Sequence, residues 1–266
     1  MAEVFHYDLY GLRAAKYQFL LENTLSSVPW QKLKAQPPQY FFAAKNFENK
    51  AEYERGFSVP EIFPANSVGI VTARDEIFIN DSTEMLLQKI ENYFHIQADK
   101  KCVKNIAYRP FDNKLIYYDA DKLERPRKKV MRHFLPGNNI GLVTCRQSAT
   151  NNWTLVNITN HIVDDSYVSN RTKERGYIFP LYLYPFDDSN ERRPNLNMEI
   201  VNALAKITGL SFTSEKQEDE NTFAPIDLLD YIYAVLYSNN YRAKYREFLK
   251  IDFPRVPCPE NAEQFQ

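Results

Sequence analysis

The stretch "VTCRQSATNNWTLV", residues 143–156, predicts two strands joined by a polar connection. An apolar run ends abruptly at Arg146-Gln147, small and polar residues follow, and a second apolar run begins at Trp153. Runs rich in β-branched and aromatic residues favour strands. The connection also has chemical interest, because Arg and Gln side chains are shaped to bind the edges of guanine and adenine. The alternative is an ordinary hairpin whose polar tip bonds to its own backbone.

Hydrophobic periodicity along the rest of the chain predicts a mixture of strands and helices. Short apolar or alternating runs predict strands, and they cover residues 4–9, 39–44, 67–81 (as two strands), 114–119, 140–145, 153–158 and 177–184. Apolar residues spaced three and four apart predict helices, and they cover residues 11–22, 82–95, 198–208, 225–237 and 241–249. The sequence therefore predicts an α+β fold, with a mixed, largely antiparallel central sheet, peripheral helices and a helical C-terminal subregion.

Local signals predict several element boundaries. Asp81 is expected to cap the helix over residues 82–95, with Glu84 completing a capping box. A short basic helix is expected to begin at Pro126, because proline suits the first helical position. The proline-containing run at residues 252–257 is expected to be an extended strap that docks the end of the chain.

The overall charge excludes one simple class of nucleic-acid-binding protein. The formal net charge of the 266 residues is −1, so the chain as a whole is not strongly basic. Residues 101–175, however, contain 14 Lys and Arg against 7 Asp and Glu, an excess of seven positive charges. Such asymmetry indicates a central region that faces a polyanion. The alternative is a charged face that is only solvated.

Composition also bounds the location of the protein and its cofactors. With 7 glycines, the chain is poor in the residue that forms phosphate-binding loops. Cys102, Cys145 and Cys258 form no CxxC pair, so neither a zinc site nor a disulfide framework is expected. The N-terminal residues lack a signal-peptide core, and no run approaches the roughly 18 apolar residues that span a bilayer. We expect a cytoplasmic protein with reduced thiols, no metal and no membrane partner.

The motifs of the common enzyme classes are absent from the sequence. There is no Walker phosphate-binding loop, no GxSxG nucleophile elbow and no HExxH metal motif. The histidines His6, His95, His133 and His161 are scattered, and a structural or surface role is expected for each. We therefore expect no catalytic residue in this chain.

Four segments carry a resemblance to a known family. They are "YRPFDNKLIYYDADKLERPRKKVMRH" (108–133), "GNNIGLVTCRQ" (137–147), "DDSYVSNRTKERGYIFPLYLYP" (164–185) and "YIYAVLYSNNYRAKYREFLKIDFPRVP" (231–257). In this order they resemble the C-terminal specificity region of type ISP and related single-chain restriction–modification enzymes. Those large proteins carry a nuclease, a helicase-like motor and an adenine-N6 DNA methyltransferase ahead of this region. The similarity runs from about residue 4 to residue 257.

The resemblance implies a target-recognition domain that binds double-stranded DNA and positions the target adenine. It implies an exit segment from a methyltransferase-like core (1–22), a strand-rich recognition domain (23–194) and a helical subregion packed on it (195–266). A strand that starts almost at Met1 and the missing catalytic motifs lead us to expect part of a longer enzyme. That parent would be a methyltransferase and endonuclease using S-adenosylmethionine, ATP and Mg²⁺, and its other regions would be partners of this chain.

Physical chemistry ranks the residues that would contact DNA. Base-reading side chains are expected on loops held by strands, where Arg suits guanine and Gln or Asn suits adenine; the candidates are Arg74, Arg146, Gln147, Asn151, Asn152, Lys173 and Arg175. Phosphate contacts are expected from the basic run around the short helix; the candidates are Lys122, Arg125, Arg127, Lys128, Lys129 and Arg132. A charged, solvated helix is the alternative for this second group.

Two further expectations concern structure rather than DNA contact. In "YRPFD", Pro110 is expected to form a turn, Phe111 to anchor it, and Arg109 to pair with Asp112 or another buried carboxylate. A second hypothesis for the whole chain is a scaffold that docks the methyltransferase and motor regions. Aromatic helices that look exposed and the proline-containing tail favour that hypothesis, although Tyr231 and its helix neighbours could equally pack on the sheet.

Overall fold

The structure of the chain is a computed structural model, and it describes residues 2–35, 37, 40–172, 174–186 and 191–266. Lys173, one of the candidate DNA contacts, lies outside the described residues. The chain divides into two compact units, Met1–Glu48 and Asn49–Gln266. Within the described ranges, no helix combines the length and the apolar character needed to cross a membrane.

Short strands alternate with helices along the chain. In chain order the strands are β1 (Val4–His6), β2 (Gln31–Leu33), β3 (Phe57–Ser58), β4 (Ser67–Val68), β5 (Ile79–Asn80), β6 (Val103–Arg109), β7 (Asp112–Tyr117), β8 (Gly141–Cys145), β9 (Val156–Thr159), β10 (Ile162–Val163), β11 (Gly176–Pro180), β12 (Tyr182–Leu183), β13 (Arg193–Pro194), β14 (Ser211–Phe212), β15 (Thr222–Phe223) and β16 (Arg255–Val256). The α-helices are α1 (Arg13–Glu22), α2 (Lys50–Tyr53), α3 (Val59–Ile62), α4 (Asp75–Phe78), α5 (Thr83–Phe94), α6 (Lys128–Met131), α7 (Met198–Thr208), α8 (Pro225–Tyr237), α9 (Asn239–Lys244), α10 (Arg246–Leu249) and α11 (Ala262–Phe265).

The second unit contains two four-stranded sheets. Their strand orders are β10-β6-β7-β5 and β4-β11-β8-β9. All neighbours in these sheets are antiparallel except β10 and β6, which run parallel. The predicted α+β class is confirmed, and the described strands of this unit form these two sheets and three two-stranded ones, β12-β13, β14-β15 and β16-β3.

The quoted strand β8 separates two hydrophobic cores. Because successive strand residues point to opposite faces, Leu142 joins one core while Val143 joins the other. In β11, Phe179 and Ile178 divide in the same way. The first core packs against α7, α8 and α9, and the second packs against α5 and the β6–β7 hairpin. Every residue of β8 is buried, which explains its uninterrupted apolar run.

Several predicted boundaries are wrong in detail. Residues 40–44 contain no strand. Helix α5 is capped by Ser82, whose hydroxyl accepts a hydrogen bond from the Met85 amide, while Asp81 instead pairs with Lys114 over 2.9 Å. Helix α6 begins two residues after Pro126 and is only one turn long. It therefore presents a much smaller helix N-terminus than the sequence suggests.

The C-terminal helices of the second unit pack on its first core, as their periodicity predicts. Helices α7 and α8 have the predicted bounds, and Tyr231, Ile232 and Leu236 of α8 are buried. Strand β16 pairs antiparallel with β3, and the Tyr53 hydroxyl accepts a hydrogen bond from the Arg255 amide over 3.1 Å. The predicted strap is confirmed, so neither the aromatic helices nor the tail supports the scaffold hypothesis.

The first unit is small, and its described residues form no buried core. Strands β1 and β2 pair antiparallel, and Tyr7 stacks on Phe19 of α1 with ring centroids 5.6 Å apart. None of the described residues from 2 to 48 is buried. Leu12 and Leu21 are each 82% exposed, so the apolar residues of this unit largely face outward.

Candidate nucleic-acid interface

Three strands of one sheet end at the same edge, which brings together loops that are distant in sequence. The register pairs Cys145, the last residue of β8, with Gly176, the first residue of β11. Arg146 and Arg175, which flank these two residues, therefore leave the sheet together. The amide of Gly69, directly after β4, donates a hydrogen bond to the Gly176 carbonyl over 2.9 Å. The loop after β4 thus starts at this edge as well.

The second sheet adds its loops to this edge through two isolated β-bridges. Ile70 pairs with Asp164, which follows β10, and Val71 pairs with Arg125. Gly69 permits this approach, since a Cβ atom there would lie 2.3 Å from the carbonyl carbon of Asp164. Because β10 runs parallel beside β6, the turn of the β6–β7 hairpin reaches the same edge.

We call this surface the loop edge. It comprises Arg74, Arg109, Phe111, Arg125, Arg127, Arg146, Gln147, Asp164, Asp165 and Arg175. Its carboxylates lie deeper than most of its arginines: Asp164 is buried and Asp165 is half-buried, whereas Arg74 and Arg175 are exposed. The outer surface of the edge is therefore rich in guanidinium groups, which are suited to phosphates and to guanine edges.

A polar network supports the turn between β6 and β7. Arg109 donates a hydrogen bond to the Asp164 carboxylate over 2.6 Å, and its guanidinium lies 3.9 Å from the ring centroid of Tyr108. The Tyr108 hydroxyl donates to Asp75 over 2.8 Å. Burial raises the pKa of Asp164 to about 6, although the Arg109 guanidinium acts in the opposite direction. Of the two partners expected for Arg109, the structure selects a buried carboxylate and not the side chain of Asp112.

Phe111, at the tip of this turn, differs most from its prediction. The ring does not anchor the turn, because the residue is fully exposed, at 101%, and its backbone φ is +63°. Pro110 and Phe111 form a two-residue connection, in which a left-handed second position normally holds Gly or Asn. The sequence signal for an exposed tip is therefore the Pro-Phe pair itself, placed between two strands.

Three predicted base-reading residues lie at the loop edge with weak partners or none. Arg74 is exposed, and its guanidinium lies 5.4 Å from the ring centroid of Tyr93. Arg146 donates to Asp252 over 3.0 Å, with side chains that are 57% and 55% exposed. Gln147 is exposed and has no hydrogen-bonding partner for its side chain within the described chain. Exposed ion pairs contribute little stability, so these side chains are available to a ligand.

The connection between β8 and β9 combines both sequence interpretations. Glu174 accepts a hydrogen bond from the Ala149 amide over 3.0 Å, and Lys250 donates to the Asn151 side chain over 2.8 Å. The Asn152 amide bonds within the connection, as in an ordinary polar tip, while its side chain is exposed. These contacts fix the backbone without using the two residues that open the loop.

Arg175 is held differently from the other predicted base readers. Its Nε and Nη2 atoms donate to the Asp165 carboxylate over 3.0 and 2.9 Å, a two-point pair. This pair orients the guanidinium and leaves Nη1 to face a further acceptor. Arg171, earlier in the same segment, is exposed.

Two of the predicted phosphate contacts, Arg125 and Arg127, also lie at the loop edge. Arg127 has a left-handed backbone, with a φ of +54°, and its buried Nε has no hydrogen-bonding partner in the described part of the chain. Burial, together with the positive charges of Arg175 and Arg125, lowers the pKa of the Arg127 guanidinium. An unsatisfied buried donor near like charges is energetically unfavourable.

The remaining predicted phosphate contacts are dispersed. Lys122 donates to Asp119 over 2.5 Å, at the end of the β6–β7 hairpin opposite its turn. Lys128 and Lys129 are exposed on α6, which follows Arg127 directly. Arg132 donates to two backbone carbonyls beyond β12, at the end of β8 opposite the loop edge. The structure therefore does not bring this whole group together.

Outside the loop edge, the described residues of the second unit include a buried histidine and a buried cysteine. In the described ranges, no group of three or more His, Cys, Asp or Glu residues is arranged to hold a metal ion. Buried His133 accepts a hydrogen bond at Nδ1 from the Tyr184 amide over 3.0 Å, and burial lowers its pKa to about 4. Burial raises the pKa of the Cys145 thiol to about 12, which disfavours the reactive thiolate form.

Solved structures of DNA complexes share this fold. The DrdV–DNA complex, solved by cryo-electron microscopy, matches with a TM-score of 0.74 and 18% identity, over 92% of this chain and 27% of that chain. A nuclease-deletion mutant of the Type ISP restriction–modification enzyme LlaGI, in complex with a DNA substrate mimic, matches with a TM-score of 0.68 and 17% identity. The match covers 96% of this chain and 26% of that chain. The ATP-dependent Type ISP restriction–modification enzyme LlaBIII bound to DNA matches with a TM-score of 0.67 and 17% identity. The match covers 89% of this chain and 17% of that chain.

These matches define the class of domain, an α+β domain whose fold occurs within much larger restriction–modification enzymes. This chain spans between 17% and 27% of the length of the solved chains. No curated protein matches it. The family described as the Type ISP C-terminal specificity domain matches residues 91–266. The chain belongs to this family, which confirms the resemblance found in its sequence motifs.

Proposed function

We propose that this chain binds double-stranded DNA sequence-specifically and positions the target adenine within a restriction–modification enzyme. The observation that carries the proposal is the loop edge, where arginines from separate strand ends face outward together. Membership of a specificity-domain family supports the same function. The solved relatives with this fold are themselves bound to DNA or to a DNA mimic.

Within the loop edge, we assign base reading to the residues with the weakest internal partners. Arg74, Arg146 and Gln147 extend from a backbone that the sheet holds in place. A bidentate contact of Arg with guanine or of Gln with adenine contributes about 1–3 kcal/mol of discrimination. Asn151 and Asn152 stand beside them as secondary candidates, and Lys173 remains a candidate from its sequence position alone.

We assign phosphate binding chiefly to Arg125, Arg127 and Arg175. A phosphate bound beside these side chains would reduce the repulsion among the three guanidiniums, which contributes to the lowered pKa of Arg127. Arg175 keeps N–H groups at Nη1 and Nη2, since Asp165 takes only the Nε–H and one Nη2–H, and these remaining groups can donate to phosphate oxygens. Exposed Lys128 and Lys129 would extend this contact along the backbone of the duplex.

Paired variants test the two kinds of contact in one experiment. Affinities are measured by fluorescence anisotropy at several salt concentrations, for sequences enriched by the chain from a random duplex library. We expect Arg127→Gln to weaken binding to all sequences and to reduce the slope of log K against log salt by about 1. We expect the double variant Arg146→Ala, Gln147→Ala to bind preferred and non-preferred sequences with equal affinity. The binding free energy for the preferred sequence should weaken by about 1–3 kcal/mol per lost contact.

A charge-matched control separates contact from general electrostatics. Lys206 is exposed in the last turn of α7, a helix that packs on the first core, and Lys206→Gln should leave both affinity and slope unchanged. Equal effects of Lys206→Gln and Arg127→Gln would contradict the phosphate assignment. Absence of binding to any duplex at low salt would contradict DNA binding itself.

We also propose where this function takes place and what it requires elsewhere. DNA binding by a protein with free cysteines is consistent with the cytoplasm, where we place this chain. S-adenosylmethionine, ATP and Mg²⁺ would serve the methyltransferase and motor regions of a parent enzyme. No residue of this chain is assigned to bind them, since its sequence lacks the corresponding motifs.

A second role, docking other regions of the parent enzyme, is favoured by the first unit. Leu12, Leu21 and Leu25 are each at least 82% exposed, and no described residue of this unit is buried. Such an apolar surface is unfavourable in water and typical of a contact with another protein surface. We propose that it packs against the methyltransferase or helicase–nuclease region of a longer polypeptide.

Hydrogen exchange tests the docking proposal. We expect the amides of α1 to exchange rapidly in this chain alone and slowly in a full-length enzyme that contains it. Helix α7, which already packs on the first core, should be protected equally in both proteins. Rapid exchange of α1 in the full-length enzyme would contradict the proposal.

A further inference from the structure

Phe111 combines two unfavourable features that no described contact offsets. Its backbone is left-handed, with a φ of +63°, which is disfavoured for a bulky residue. Its ring is fully exposed and forms no aromatic or cation–π pair with any described residue. Strained residues of this kind persist where the surrounding structure holds them, and they cluster at sites that bind ligands.

The support beneath the ring is rigid. Strands β6 and β7 pair along most of their length, and Arg109 joins their turn to the buried carboxylate of Asp164. Tyr108 is held in turn through its hydrogen bond to Asp75. A ring displayed on such a support loses little freedom when it enters a binding partner, which favours tight contact.

The surroundings of the Phe111 ring favour insertion of the ring between stacked base pairs over packing against the surface of a partner protein. Pro110 is half-buried, Asp112 is charged and Asn113 is an exposed polar residue, so Phe111 stands without an apolar patch around it. Protein hot spots need a ring of contacts that excludes water from their centre. A stack of base pairs, in contrast, offers apolar faces to a single inserted side chain.

The position of the ring fits DNA bound at the loop edge. Asp164, the partner of Arg109, is followed directly by Asp165, the partner of Arg175. The tip of the hairpin and the phosphate-binding arginines therefore lie along one edge. We propose that Phe111 inserts its ring between neighbouring base pairs of the bound duplex, as a wedge that unstacks one step. The inference rests on the proposed DNA binding, and unstacking would lower the barrier to extruding a base.

An abasic duplex provides the test. The probes are a 30-bp mixed-sequence duplex and the same duplex with one central abasic site, each titrated with the chain by fluorescence anisotropy. A preformed gap removes the unstacking step, so we expect wild type to bind the abasic duplex about tenfold more tightly. Phe111→Ala should reduce this ratio to about 1, and Phe111→Trp should retain most of it.

The chain offers a matched control in Phe186. Its ring is 93% exposed, but it lies under the guanidinium of Arg132, at the end of β8 opposite the loop edge. Phe186→Ala should keep the wild-type ratio, which excludes a general effect of removing an exposed ring. Thermal melting of each variant establishes that it is folded, and Phe111→Ala is expected to melt no lower than wild type because the substitution removes no internal contact.

Each outcome bears on the proposal. A ratio that falls in Phe111→Ala and persists in Phe186→Ala supports the wedge. Binding of both duplexes with an unchanged ratio in Phe111→Ala overturns the wedge while leaving DNA binding intact, as does the absence of any abasic preference in wild type. Failure of wild type to bind either duplex overturns the wedge and the proposed function together.

Discussion

Gly69 is the residue at which the two sheets of the second unit meet backbone to backbone. A Cβ atom there would lie 2.3 Å from the carbonyl carbon of Asp164 and 2.4 Å from the amide nitrogen of Asp165. Backbone atoms cannot rotate aside as a side chain can, so the bridge between Ile70 and Asp164 would have to open. We expect Gly69→Ala to lower the free energy of unfolding by about 2–4 kcal/mol, measured by urea denaturation.

Gly176 provides the comparison at the same scale, because it lies in the same sheet and its amide and carbonyl are also paired. A Cβ atom there would lie 3.6 Å from the Cβ of Tyr167, an ordinary contact. Gly176→Ala should therefore change stability by less than about 1 kcal/mol. A similar loss of stability in both variants would show that close backbone approach does not explain the role of Gly69.

The other informative residues at this scale have left-handed backbones. Phe111 and Arg127 both have positive φ angles although neither is glycine, and both lie at the loop edge. Neither is distinguished by composition or periodicity, because a strained conformation depends on what the neighbouring elements hold in place. Sequence reasoning therefore reached Arg127 through its charge, and was wrong about Phe111, whose ring was expected to anchor the turn.

Among the elements, those that pack on a core were predicted best. Helices α7 and α8 have the bounds that their apolar spacing predicts, because each presents a continuous face to the first core. Strand β8 lies between two cores, and its uninterrupted apolar run was recognisable for that reason. Hydrophobic periodicity reports on burial, so it succeeds where an element is buried by its own chain.

Elements without such a core were predicted poorly. The aromatic run at residues 40–44 has strand-like composition, yet it lies in the unit whose described residues are all at least partly exposed. Helix α6 begins after the left-handed residue Arg127, not at Pro126, because proline permits a helix start without requiring one. In both places the outcome depends on tertiary contacts, which local sequence patterns do not encode.

The loop edge was only partly visible in the sequence. The strand ends at Arg146 and Arg175 could be located from the apolar runs beside them. Arg125 and Arg127 were identified as candidates because they belong to one basic run of the sequence. The bridges that join these loops span residues such as Ile70 and Asp164, far apart in the chain and with no pairing signal of their own. The same lack of a pairing signal explains why Arg132 was grouped with residues at the opposite end of β8.

At the scale of the whole molecule, buried His133 makes stability depend on pH. Its pKa is about 4 in the fold, below the ordinary value of 6.5, because burial disfavours the charged ring. His133 therefore becomes protonated near pH 6.5 in the unfolded chain, whereas it stays neutral in the folded chain until the pH approaches 4. We expect full stability above pH 6.5 and a progressive loss, of about 3 kcal/mol at most, as the pH falls towards 4. Melting temperatures measured between pH 4 and 8 check this.

The variant His133→Asn isolates this effect from other titrating groups. Asparagine can keep an acceptor for the Tyr184 amide but does not titrate in this range. The pKa of Asp164 in the fold is about 6, above its ordinary value of 3.8. Asp164 therefore acts in the opposite direction, because its protonation makes the fold more stable as the pH falls. The difference between wild type and variant removes that contribution. A difference that does not change with pH would contradict the role of His133.

The pairing of β16 with β3 has a consequence for how the second unit folds. It joins Arg255 to Ser58 across nearly the full length of the unit, so this pairing closes a loop of about 200 residues. Closing such a loop is entropically costly and slows folding, since the intervening chain must already be compact. During synthesis, the segment around Ser58 therefore waits until Arg255 has left the ribosome. Until then β3 lacks the partner strand that it has in the folded unit.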